Sequence, residues 1–165
     1  MKIFPAILLS TLVLLTSSAF ATERLNAVQS PEALMQRIDV EGGKNVLAKL
    51  WTNEKEFENL LNPVESGNVQ WFSVWARLRA YSDAGISESI DSAFARALPV
   101  VPEEVLKFIG HGLELKNICG SPFIEPEPNV AEQYERNTLA ALSLVRDPKL
   151  QPLAKECSER VKLNK

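Results

Sequence analysis

The segment from Leu60 to Leu98 constrains the fold most, because it contains two helix patterns joined by a short polar turn. In the first pattern, apolar residues recur at helical spacing: Trp71, Val74, Trp75, Leu78 and Tyr81. The second pattern repeats this spacing with Ile86, Ile90, Phe94, Ala97 and Leu98. Ser82 and Asp83 in the turn can accept hydrogen bonds from the free N–H groups that begin the second helix. The segment therefore predicts a helical hairpin, whose tryptophans we expect in the core rather than in a ligand groove.

Helix signals continue through the rest of the chain. Ser30 is followed by Pro31 and Glu32, which together indicate a helix start. Asn53 and Asn129 each precede a glutamate three residues later, the spacing of a helix cap with an acid. Asn62-Pro63 predicts a helix end, because the residue before proline avoids the helical conformation. No stretch alternates in the way a strand requires. The sequence predicts an all-α fold of seven or eight short helices, stacked as helical hairpins in a HEAT-like array or an irregular orthogonal bundle.

The first 21 residues have the pattern of a secretory signal peptide. Lys2 gives a positive start, residues 7–15 are mostly apolar, and Ala19-Phe20-Ala21 matches a cleavage site. An uncleaved membrane anchor is disfavoured because the apolar run is shorter than the ~20 residues that a bilayer span needs. We therefore expect a signal peptide at 1–21 and a single helical domain at 22–165. The mature protein would be periplasmic or secreted, without a membrane anchor.

The charge balance is mildly acidic, with 18 Lys and Arg against 21 Asp and Glu. Nucleic acids and anionic lipids attract proteins with clustered basic residues, because these residues displace counterions. The only local basic enrichment lies in the last eleven residues, where cations favour the end of a helix. The composition therefore argues against nucleic acid as a partner.

The two cysteines, Cys119 and Cys157, predict a disulfide. An exported protein meets an oxidising compartment, where an even pair of cysteines usually forms a bridge. A redox-active pair is the alternative, but it normally has the C-x-x-C spacing that this chain lacks.

Motifs for catalysis and cofactors are missing from the sequence. The chain has one histidine, His111, so an ordinary zinc site cannot be assembled from His and Cys residues. Neither phosphate-binding glycine motif occurs, nor does the G-x-S-x-G motif of serine hydrolases. His111 lies between two glycines, as expected of a loop histidine near a helix end. We therefore expect no enzymatic activity, no metal and no cofactor.

The segment Gly120 to Pro128 contains three prolines and cannot form a regular helix. It contains the candidate interaction loop, Pro122, Phe123, Ile124 and Glu125. Prolines stiffen such a loop, so it could present apolar side chains to a partner at a small entropic cost. The alternative is that Phe123 and Ile124 fold back and seal the core.

The motifs VESGN (residues 64–68), a tryptophan three residues later, SDAG (82–85) and C-G-x-P-F-I-E-P (119–126) together resemble small exported bacterial proteins of unassigned function. This resemblance implies no particular activity.

Three functional hypotheses follow. The first is a non-enzymatic periplasmic protein that acts by binding an unknown protein partner, for example as an acidic inhibitor of the immunity type. The second is a periplasmic protein that binds a small molecule or peptide in a groove between helices. The third is an envelope hydrolase that uses His111 or Glu125.

Overall fold

The computed structural model describes residues 30–163, which form nine α-helices and one 3₁₀ turn with no strand among them. The helices are α1 (Pro31–Glu41), α2 (Gly43–Trp51), α3 (Glu54–Glu65), the 3₁₀ turn (Val69–Trp71), α4 (Phe72–Arg79), α5 (Ala84–Ala97), α6 (Pro102–Leu106), α7 (Leu115–Ile118), α8 (Pro128–Ser143) and α9 (Gln151–Leu163). The prediction of an all-α fold is confirmed. The helix count exceeds the predicted seven or eight, since α6 and α7 are only about one turn long. The predicted signal peptide lies outside the described residues.

Side-chain caps start three helices where the sequence places them, but the predicted cap Asn129 is wrong, because it lies inside α8, which begins at Pro128 without a side-chain cap. Ser30 accepts a hydrogen bond from the backbone N–H of Ala33 at the start of α1, and Asn53 caps α3 in the same way. Asp83 accepts from the N–H of Ile86 at the start of α5. These contacts satisfy N–H groups that have no partner within the helix.

Pro63 does not end its helix, contrary to the prediction. Helix α3 continues through Pro63 to Glu65. A proline this close to a helix end removes only one hydrogen bond of the last turn. Val64 is fully buried, and burying its side chain favours the extra turn.

Helix α5 is the centre of the fold, because it packs against α3, α4, α6 and α7. Trp75 of α4 is fully buried and donates from its indole Nε1 to the Leu60 carbonyl oxygen at 2.9 Å. The predicted apolar stripe of α4 is buried from Trp71 to Leu78. Tyr81 is the exception: it lies beyond the end of α4 and is 48% exposed.

One buried ionic contact joins the central helices. Arg79 of α4 donates two hydrogen bonds to the Asp91 carboxylate of α5, each at 2.9 Å. Asn117 of α7 donates a third to the same carboxylate at 3.0 Å. Because Asp91 is almost completely buried, these donors replace the water that its charge has lost.

Candidate functional site

The predicted disulfide between Cys119 and Cys157 is present, and both cysteines are fully buried. Cys119 directly follows α7, whereas Cys157 lies in α9. The bond therefore fixes the start of the following segment, residues 120–127, against the last helix. We call this segment the proline-rich loop.

The side chains of the proline-rich loop point to different environments. Pro122 is buried, Phe123 is half-buried, and Ile124 is 86% exposed. Of the two expected arrangements, Phe123 follows the inward one and Ile124 the outward one. Glu125 has a φ of 45°, in the left-handed region that residues with a side chain rarely adopt. Such backbone strain costs about 1 to 3 kcal/mol and is often found at binding sites.

Arg96 of α5 holds the proline-rich loop in place. Its Nη1 donates to the Glu65 carboxylate of α3 at 2.7 Å, and its Nη2 donates to the Pro122 carbonyl oxygen at 3.1 Å. The same guanidinium lies 5.5 Å from the centre of the Phe123 ring, within range of a cation–π contact. One side chain thus connects the loop to two helices.

Phe123 also packs edge-on against Tyr134 of α8, with the ring centres 5.5 Å apart. The Tyr134 hydroxyl donates to the Ala95 carbonyl oxygen at 2.9 Å. Burial raises the pKa of Tyr134 to about 12, so the hydroxyl remains a neutral donor at physiological pH. The inner side of the loop is therefore fixed by both Arg96 and Tyr134.

An open groove of about 660 Å³ runs between α3, α5 and the proline-rich loop. We call it the acidic groove. Helix α3 lines it with one face, formed by Glu54, Phe57, Glu58, Leu61, Asn62 and Glu65. Helix α5 lines it with a second face, formed by Gly85, Glu88, Ser89, Ser92 and Arg96. The small residues of α5 leave the space that the groove occupies.

The charges that line the acidic groove are almost all negative. Five glutamates line it: Glu54, Glu58, Glu65, Glu88 and Glu127. Arg96 is the one basic residue of the lining within the described chain, and it pairs with Glu65. The other four carboxylates form no ion pair with any residue in the range 30–163. The groove therefore has an uncompensated negative charge.

Three exposed apolar side chains border this groove. Trp51 at the end of α2, Ile124 in the loop and Val130 in α8 all line it, with exposed fractions of 46%, 86% and 41%. The Phe57 ring packs edge-on against the Trp51 ring, with the ring centres 5.0 Å apart and the rings perpendicular. The groove thus offers a partner both carboxylates and apolar contact area.

A second cavity of about 540 Å³ lies on the other side of the proline-rich loop. We call it the apolar pocket. Its lining is mainly apolar and includes Phe123, Pro128, Ala131, Tyr134 and Val161. Glu132 and Glu135 of α8 are the charged residues in this lining.

Family models, curated proteins and solved structures contain no match to this chain. Any function must therefore be argued from the two cavities and their charges.

The remaining sequence candidates line neither cavity. His111 is exposed in the turn between α6 and α7, whereas Glu125 lies between two residues that line the acidic groove, Ile124 and Pro126. Trp71 and Trp75 are buried in the core, as expected. Within residues 30–163, no three His, Cys, Asp or Glu side chains are arranged to hold a metal ion. No helix in that range is long and apolar enough to cross a membrane.

Sequence reasoning missed the glutamates of the acidic groove. The signal was present in α3, because Glu54, Glu58 and Glu65 are spaced so that they share one helix face. Glu88 belongs to a different helix, and the sequence does not show that α5 packs beside α3. Only the tertiary structure brings these carboxylates together.

Proposed function

We propose that this protein is a non-catalytic binding protein of the periplasm whose acidic groove holds a positively charged segment of a partner protein. One observation carries the proposal: within residues 30–163, four of the five glutamates that line the groove have no ion-pair partner, and the one cation of the lining is already paired with the fifth. A lysine or arginine entering the groove gains an ionic partner without breaking an existing pair. Nucleic acids and anionic lipids would be repelled.

The shape and rim of the groove favour a polypeptide over a compact small molecule. Small-molecule sites are usually enclosed and mainly apolar, with few polar groups. The acidic groove is open and rich in polar groups, and its apolar residues Trp51, Ile124 and Val130 lie apart on three different elements. This arrangement suits an extended chain that contacts each element in turn. Covering a basic segment that an enzyme or toxin needs for its activity inhibits it, and this is the mode of action we favour.

Two features support a location outside the cytosol. The N-terminal 21 residues have the pattern of an export signal. The buried disulfide between Cys119 and Cys157 fits an oxidising compartment.

Intrinsic fluorescence provides a direct binding test, because Trp51 alone among the three tryptophans is exposed and lines the groove. The probe is a synthetic peptide of about twelve residues that alternates lysine and serine. We expect it to change the emission and to bind more weakly as salt is added. The Trp51→Phe variant should lose this change, since Trp71 and Trp75 are buried.

Paired variants separate the groove from the general negative charge of the protein. Glu58→Gln with Glu88→Gln removes two groove carboxylates and should weaken peptide binding roughly fivefold. Glu32→Gln with Glu159→Gln removes the same charge from exposed positions outside the groove and should leave binding nearly unchanged. The proposal fails if both pairs weaken binding equally. It also fails if a peptide of alternating glutamate and serine binds as well as the lysine peptide.

A further inference from the structure

We infer that the apolar pocket receives an apolar side chain of the same bound segment, so that the partner's motif joins basic residues to one apolar anchor. This inference rests on the proposed function, because it assumes that the acidic groove holds the basic part of that segment. It adds the chemical class of a second recognition element.

The two cavities are separated by a single loop. Ser121, Phe123 and Pro126 line both the acidic groove and the apolar pocket. A chain leaving the groove over the proline-rich loop therefore reaches the pocket directly. Ile124, exposed in the same loop, lies along this route and lines the groove.

Contacts within the protein hold one wall of the pocket in place. Phe123 contacts both Arg96 and Tyr134: the guanidinium carbon and the centre of the Tyr134 ring each lie 5.5 Å from the centre of the Phe123 ring. Tyr134 is held in turn by its hydrogen bond to the Ala95 carbonyl oxygen. A rigid wall of this kind does not have to be ordered during binding, so an incoming apolar side chain retains most of its burial energy.

The charges around the pocket select its occupant. Glu132, which lines the pocket, already pairs with Arg136 at 3.4 Å. The nearest uncompensated charges are the glutamates of the acidic groove, across the proline-rich loop. They disfavour a free fatty acid or another amphipathic anion, whose charge would lie near them. They favour an apolar side chain flanked by lysine or arginine.

A leucine scan of the lysine and serine peptide tests the inference. Each serine is replaced by leucine in turn, and the dissociation constant is measured through the Trp51 emission. Burial of one leucine should raise the affinity about tenfold at one position or at two neighbouring ones. At the other positions the gain should be small.

A matched pair of variants in α8 shows whether the gain in affinity from leucine comes from the apolar pocket. Ala131→Leu fills the apolar pocket and should abolish the gain from leucine, while the affinity for the peptide without leucine stays the same. Ala140→Leu makes the same change at an exposed site of α8 that lines neither cavity, and it should preserve the gain.

Each other outcome has a definite meaning. If the lysine and serine peptide does not bind at all, the proposed function and this inference both fail. If binding depends on Glu58 and Glu88 but the leucine gain is absent, equal at all positions or unaffected by Ala131→Leu, only the inference fails. It also fails if dodecanoate binds, Ala131→Leu prevents this, and the leucine peptides show no gain.

Discussion

The guanidinium of Arg96 lies 5.5 Å from the centre of the Phe123 ring while its two terminal nitrogens donate to Glu65 and to the Pro122 carbonyl oxygen. Three contacts thus hold the proline-rich loop against α3 and α5. The loop separates the acidic groove from the apolar pocket, so this residue sets the shape of both cavities.

Replacing Arg96 by lysine should loosen the loop without changing the net charge. Lysine cannot donate in two fixed directions as the planar guanidinium does, so at least one of the bonds to Glu65 and Pro122 should be lost. We expect a loss of about 1 to 2 kcal/mol in the free energy of unfolding and faster amide exchange in the loop. Urea titration and hydrogen exchange with mass spectrometry measure these two effects.

The control is Arg160→Lys in α9, whose side chain forms an i,i+4 pair with Glu156 that is about half exposed. Such pairs contribute little to stability, so this variant should remain close to the parent protein. Equal exchange rates in the loop of both variants would show that Arg96 does not hold it.

The sequence predicts local structure well where one residue decides the outcome. Ser30, Asn53 and Asp83 cap the helices that they precede. In each cap a side-chain oxygen accepts from a backbone N–H only three residues later, so the local sequence decides the contact. The prediction at Pro63 is wrong because the burial of Val64 outweighs the hydrogen bond that the proline removes from the helix. That burial depends on residues distant in the sequence. The disulfide was predictable from the export-signal pattern of the first 21 residues together with the even number of cysteines.

The candidate site was only partly predictable. The proline-rich loop is visible in the sequence because prolines exclude a helix. The opposite directions of Phe123 and Ile124 were not, since they depend on Arg96 and Tyr134 in other helices. The charge of the groove depends on the packing of α3 beside α5, which no local pattern reveals.

Gly112→Ala should destabilise the fold strongly. Gly112 has a φ of 107°, and a methyl group at this position would collide with the carbonyl oxygen of Ala76 in α4. Since both the backbone conformation and the contact oppose a side chain, we expect the free energy of unfolding to decrease by more than about 2 kcal/mol. Chemical denaturation measures this decrease.

Gly110→Ala provides the comparison for this prediction. Gly110 also has a positive φ, 82°, but a methyl group there would enter open space. The free energy of unfolding of this variant should decrease by only about 1 kcal/mol, which is the cost of the backbone conformation alone. If the two alanine variants were equally stable, the contact with Ala76 would have no energetic effect.

Removing the disulfide should destabilise the protein without changing its helix content in the folded state. The bond joins residues 38 positions apart, so its loss gives the unfolded chain more conformational freedom. We expect the Cys119→Ala, Cys157→Ala double variant to lose about 4 kcal/mol in urea titrations, with an unchanged far-ultraviolet circular dichroism spectrum before unfolding. A loss below about 1 kcal/mol would mean that packing between α7 and α9 suffices to hold these elements together.

Tyr134 should make the protein less stable at alkaline pH. Burial raises its pKa to about 12 from 10.0, so the unfolded chain releases this proton at a lower pH than the folded protein does. The stability contribution is therefore fully present below pH 10 and decreases as the pH rises toward 12. The total decrease should be about 2 to 3 kcal/mol.

The Tyr134→Phe variant isolates this contribution. It should lose about 1 kcal/mol at neutral pH, because the hydrogen bond to the Ala95 carbonyl oxygen is absent. Its stability should then fall less steeply than that of the parent protein above pH 10, since no buried phenol remains to ionise. Tyr81→Phe changes the exposed tyrosine and should keep the steep fall. The other titratable groups are common to all three proteins, so the difference between the stability curves belongs to the tyrosines. Identical slopes for the parent protein and Tyr134→Phe would contradict this prediction. They would mean that the Tyr134 hydroxyl ionises as readily in the folded protein as in the unfolded chain, although it is buried against Phe123 and α5.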